Sequence, residues 1–77
     1  MASGAQIRAS RVLLGWTPRD LAHMANVCVF TVNQIERIEG PGRYPGLATI
    51  EATLKAKGIV FIYGGTPGVR VRRKLKK

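Results

Sequence analysis

The sequence predicts a small, mainly α domain closed by a C-terminal β-hairpin. Three observations carry that expectation. Apolar residues recur at spacings of three and four up to about residue 57, and Gly and Pro interrupt them at short intervals. After Gly58 the pattern changes to the β-branched and aromatic run IVFIY, the turn GGTPG and the alternating VRVRR. With 77 residues the chain is expected to be one domain, near the lower end of what folds on an apolar core alone.

The elements follow in order. Residues 4 to 14 read as a helix, with Ile7, Ser10, Arg11 and Leu14 on one stripe and Gly15 as its stop. In GWTPRDL, Thr17 is an N-cap, Pro18 suits the first helical position, Asp20 completes a capping box, and Trp16 with Leu21 forms a hydrophobic staple. Leu21, Ala22 and Ala25 make the inner face of this second helix. Asn26 tolerates the left-handed conformation, and Val27 and Cys28 lead into a third helix ending at Gly40-Pro41. Two short helices joined so tightly form a helix-turn-helix, a unit with a known DNA-binding use. On the third helix Val32 and Ile35 point inward, while Val29, Phe30, Asn33, Gln34 and Arg37 share the outer face. GPGRYPG is a loop. A fourth helix runs from Leu47 to Lys57 on the stripe Leu47, Ile50 and Leu54, stopped by Gly58. A hairpin over 59–73 and a basic tail over 74–77 complete the chain.

Charge narrows the partner. The net charge of +9 favours a polyanion, nucleic acid before a membrane surface, and six of the excess charges lie in residues 70 to 77. A solvated solubility tail is the plain alternative for that segment. The lone Cys28 allows no intrachain disulfide and no zinc spacing, so no metal or cofactor is expected. Four acids and one His assemble no nucleophile-base-acid set, so an enzyme is not expected. No run approaches the ~18 apolar residues of a membrane span, and the N-terminus lacks a leader pattern, which points to the cytoplasm.

The region from about residue 5 to 57 resembles the Cro and lambda-repressor type helix-turn-helix family, also called the xenobiotic-response-element type. Thr17, Leu21 with Ala22, Val27, Val32, and Ile35 with Glu36 occupy the family's places, and Arg11 matches its basic residue in the first helix. The departures are Asn26 for the usual Gly, Cys28 for the Ser/Thr cap, Pro18 for a frequent Gln that touches phosphate, and a terminal Gly two residues late. The resemblance implies a four-helix lambda-repressor-like domain whose third helix lies in the major groove. It makes Val29, Phe30, Asn33 and Gln34 the base-contacting residues, with Thr17, Arg19, Arg37 and Arg43 near phosphates. Arg8 and Arg11 could contact phosphate, but Arg11 lies on the inner stripe of the first helix, which favours an internal ion pair, and the resemblance implies one between Arg11 and Glu36. The chemistry agrees, since Gln and Asn can bond adenine bidentately and an apolar side chain can meet a thymine methyl.

Plainer readings stand beside these. Phe30 and Val29 could fold back as satellite core, His23 reads as a surface histidine, Cys28 as a structural thiol and Trp16 as a staple. The expected function is sequence-specific transcriptional regulation, with repression by operator occlusion as a homodimer on near-palindromic double-stranded DNA. IVFIY is apolar on both faces, so the hairpin is the expected dimer surface. A chain this short leaves no room for a small-molecule sensor. The rivals are an antitoxin or phage-type regulator, a sequence-neutral basic nucleoid or RNA-binding protein, and an adaptor using Phe30 and the hairpin.

Overall fold

The computed structural model describes residues 2–38, 44–65 and 68–72. Four helices precede a two-stranded antiparallel hairpin: α1 (Gly4–Leu13), α2 (Pro18–Ala25), α3 (Val29–Arg37), α4 (Leu47–Ala56), β1 (Ile59–Ile62) and β2 (Gly68–Val71). The chain is thus mainly α with a C-terminal hairpin, as its periodicity requires.

Local chemistry fixes the helix ends. At the start of α1 the Ser3 hydroxyl accepts from the Gln6 N–H at 3.2 Å, and the Ser3 N–H donates to Gln6 Oε1 at 2.9 Å. Thr17 and Asp20 repeat the arrangement at α2, at 3.1 and 2.8 Å. Both helices close with paired backbone bonds around a left-handed residue. After α1 the Gly15 N–H donates to the Val12 carbonyl and the Trp16 N–H to that of Arg11, with Gly15 at φ 73°. After α2 the Asn26 N–H donates to His23 and the Val27 N–H to Ala22, with Asn26 at φ 57°. Each is a Schellman closure, which ends a helix in few residues and lets α3 begin with only three residues between it and α2.

Every helix contributes to one core. Ile7 of α1, Leu21 of α2, Val32 of α3, and Leu47, Ile50 and Leu54 of α4 are fully buried, each stabilising the fold by about 1.5–3 kcal/mol of transfer free energy. Trp16 and Val27 pack against this core from the two turns. α1 crosses α3 at Gly4, where a Cβ would collide with the Ile35 carbonyl oxygen and lie 2.8 Å from that of Ile38. Only a glycine admits that approach.

Ile59 pairs with Val71 and Phe61 with Val69, placing Ile59 and Phe61 in the core and leaving Val60 half-buried and Ile62 exposed. The buried Gln6 holds the hairpin to α1: its Nε2 donates to the Ile62 carbonyl at 2.9 Å and to that of Gly68 at 3.0 Å. The buried Glu51 of α4 accepts from the Ala2 N–H and, at 3.2 Å, from the Tyr63 hydroxyl.

Boundaries differ from the expected ones where tertiary contacts intervene. α3 ends at Arg37 and not at Gly40-Pro41, because Ile38 turns extended (φ −75°, ψ 129°) and its carbonyl lies against Gly4. β1 stops at Ile62 because Tyr63 leaves the strand and bonds Glu51. β2 begins one residue early, at Gly68, which pairs with Ile62, and ends at Val71. The basic tail over 74–77 lies outside the described residues.

Candidate nucleic-acid interface

The outward face of α3 is divided into two columns by the helical repeat. One holds Val29 and Asn33, one turn apart, and with Thr17, Pro18 and Arg19 they line a depression at the start of α2. The other holds Phe30 and Gln34, which line a second depression with Thr31, Ile35, Ile38, Tyr44 and Pro45. Asn33, Gln34 and Phe30 are exposed. Asn33 also borders a groove with Arg8, Arg11, Pro18, Glu36 and Arg37, so Arg8, Arg19 and Arg37, from three helices, surround it.

Val29 departs from the expected face. It is half-buried and packs against the core, because the short turn brings the first turn of α3 against the start of α2. Val29 thus lies deeper than Phe30, with part of its surface still bordering the depression that Thr17 and Pro18 line. Phe30 stays 67% exposed.

Arg11 and Glu36 meet in a bidentate pair, Nε to Oε2 at 2.8 Å and Nη2 to Oε1 at 3.1 Å, while Nη1 donates to the Trp16 carbonyl at 2.9 Å. Half-buried and holding three acceptors, Arg11 acts as a strut between α1 and α3 and has little left for a phosphate. Thr17 is exposed but caps α2; its hydroxyl oxygen accepts from Asp20, which leaves the hydroxyl proton free to donate. The Asp20 carboxylate, bonded to the Thr17 N–H, puts negative charge at the N-terminus of α2 and weakens that end as an anion site. Arg19 and Arg37 are exposed beside the groove, and Arg43 lies outside the described residues.

Electrostatically the face is cationic. Each carboxylate among the described residues is engaged: Asp20 in its cap, Glu36 by Arg11, and Glu51 by Ala2 and Tyr63. Burial and the neighbouring Glu51 carboxylate, which also accepts its hydroxyl, raise the Tyr63 phenol above its ordinary 10.0. Cys28 is exposed at the start of α3 without a side-chain capping bond, and His23 is exposed on α2. No group of three His, Cys, Asp or Glu among the described residues is placed to hold a metal ion, and no described helix is long and apolar enough to cross a membrane.

Arg8, a candidate phosphate contact on sequence grounds, borders the Asn33 groove. Two residues join the picture that periodicity did not single out. Tyr44 walls the Phe30 depression. Gln6 fixes the hairpin, and half of that was readable: Ser3 and Gln6 carry the capping-box spacing. No protein-family model matches the chain, and no curated protein matches it.

Proposed function

We propose that this protein is a sequence-specific DNA-binding transcriptional regulator of the lambda-repressor-like helix-turn-helix type, acting in the cytoplasm by occluding its operator. The observation that carries the reading is the outward face of α3, where exposed Asn33, Gln34 and Phe30 stand in a frame of Arg8, Arg19 and Arg37. The major groove is about 12 Å wide and admits a helix whose side chains reach base edges, while arginines at the rim meet phosphates and carry no sequence information. Asn33 and Gln34 supply directional hydrogen bonds to bases. Arg11–Glu36 keeps α3 fixed against α1, so these donors are presented in one geometry.

The operator in this proposal is near-palindromic and the protein a homodimer through the hairpin. The apolar outer positions Val60 and Ile62, the latter 39% exposed, favour a second copy there. Two-fold pairing would set two α3 helices about 34 Å apart, one DNA turn. Sedimentation of the full chain with and without DNA tests this; a monomer at micromolar concentration under both conditions removes the dimer from the proposal.

The deciding experiment compares binding to the DNA upstream of the protein's own gene with binding to random DNA, at one fixed salt concentration. Preference for one sequence supports the regulator, whether it serves in the host, in a phage or as an antitoxin. Equal binding supports the second reading, a sequence-neutral nucleoid or RNA-binding protein, which the concentration of six basic residues in 70–77 favours.

A further inference from the structure

We infer that Phe30 reads the C5-methyl group of thymine, and that the sequence under α3 is built of A·T pairs. This rests on the DNA-binding reading above and specifies what that site recognises. Three observations carry it.

The first concerns what is missing from the reading face. Guanine is read by a bidentate Arg or Lys on its O6 and N7, and cytosine by a carboxylate on its N4 amino group. Residues 29 to 36, the first two turns of α3, contain neither Arg nor Lys, and their one carboxylate, Glu36, is held by Arg11; the exposed Arg37 stands in the last turn, beside Arg8 at the rim of the Asn33 groove, where the proposed function gives it a phosphate. The exposed polar groups are Asn33 and Gln34, whose amides match the N7 acceptor and N6 donor of adenine.

The second is the ring of Phe30, 67% exposed in the first turn of α3. Its neighbours do not shelter it, although Ile35, Ile38 and Tyr44 line the depression beside it. The thymine methyl is the apolar group that the major groove presents. An exposed aromatic at this position therefore has one chemical counterpart there.

The third is the register of the column. Phe30 and Gln34 are one helical turn apart, a rise of about 6 Å, which spans one to two base-pair steps of about 3.4 Å. A thymine met by Phe30 and an adenine bonded by Gln34 then fall on neighbouring or next-neighbouring pairs. Val29, the other apolar residue of this face, is held against the core and leaves methyl readout to Phe30.

Uracil isolates the methyl, since it keeps thymine's pairing and O4 acceptor and lacks only that group. The preferred site is first selected by the full chain from a random duplex pool, and each thymine is then replaced singly by uracil. The expected result is an A·T-rich half-site in which one replacement weakens wild-type binding by about fourfold, the factor that burial of a methyl-sized group supplies. Phe30→Ala should bind the thymine and uracil duplexes equally, and Phe30→Leu, which keeps an apolar contact, should retain part of the difference. A G·C-based half-site, a wild-type protein indifferent to every replacement, or a Phe30→Ala variant with undiminished sensitivity would each overturn the inference while leaving sequence-specific binding intact. A pool that yields no preferred sequence overturns the regulator reading, and this inference with it. Should Phe30→Ala fail to fold, the wild-type uracil series alone decides.

Discussion

Glu36 holds two of the three donors that Arg11 commits, and the two side chains are only 13% and 9% exposed. Glu36→Gln preserves size and leaves a half-buried guanidinium without its counter-charge. Breaking one side of a buried pair costs about 3–5 kcal/mol, and the residual exposure places this case near 3 kcal/mol. Urea denaturation checks it; an unchanged midpoint would mean that the pair contributes nothing. Tyr63 gives a second prediction at this scale. Its phenol is raised above 10.0 in the fold, so the folded chain holds that proton more tightly than the unfolded one. The contribution is complete below pH 10 and is lost as pH rises through the folded-state value. Stability should therefore fall with pH in the alkaline range, and Tyr63→Phe should flatten that fall, as followed by chemical denaturation at a series of pH values.

Among the elements, the hairpin depends most on another element. A lone two-stranded hairpin is marginal in water, and Gln6 of α1 reaches the carbonyls of both Ile62 and Gly68 at the turn end of its strands. Gln6→Leu keeps an apolar bulk in the same place but removes both donors and the partner of the Ser3 N–H. The expected loss is about 1–3 kcal/mol. Hydrogen exchange checks where it falls: amides of β1 and β2 should lose protection while those of α2 and α3 keep theirs. Uniform loss across the chain would show that Gln6 serves the core as a whole. The helix starts differ as well. α1 and α2 open with capping boxes, whereas α3 starts at Cys28 and α4 at Gly46 without a side-chain cap. Those two helices owe their starts to packing, through Val32, Leu47 and Ile50.

Across the whole molecule, base-reading groups and phosphate-neutralising charge are separate. Gln34→Ala should cost about 1–3 kcal/mol on the preferred site and little on random DNA, because a base-edge hydrogen bond acts only where the base is right. Removing residues 74–77 takes away Lys74, Lys76 and Lys77. For every phosphate that these lysines neutralise, the truncation should reduce affinity for both DNAs alike and shrink the log-log salt slope by about 0.9. Titrations at several salt concentrations separate the two effects. An unchanged slope would identify the tail as a solvated end, and equal weakening of both DNAs by Gln34→Ala would favour the sequence-neutral reading.

The sequence by itself determined the four helices, the hairpin and their order, because caps, breakers and apolar spacing act within a few residues. Thr17 with Asp20, the left-handed Asn26, and the stops at Gly15 and Gly58 are all local chemistry, and each stands where its residue type implies. Residues of the outer face of α3 were legible for the same reason, since Val32 and Ile35 had to face inward. Tertiary structure decided the rest. Half-burial of Val29 depends on how closely α2 approaches α3, and the end of α3 depends on Ile38 meeting Gly4, two positions 34 residues apart. The hydrogen bonds of Gln6 and Glu51 and the gathering of Arg8, Arg19 and Arg37 around Asn33 join residues from separate elements. Periodicity assigns a residue to a face of its own helix; which neighbour covers that face is set only when the core closes.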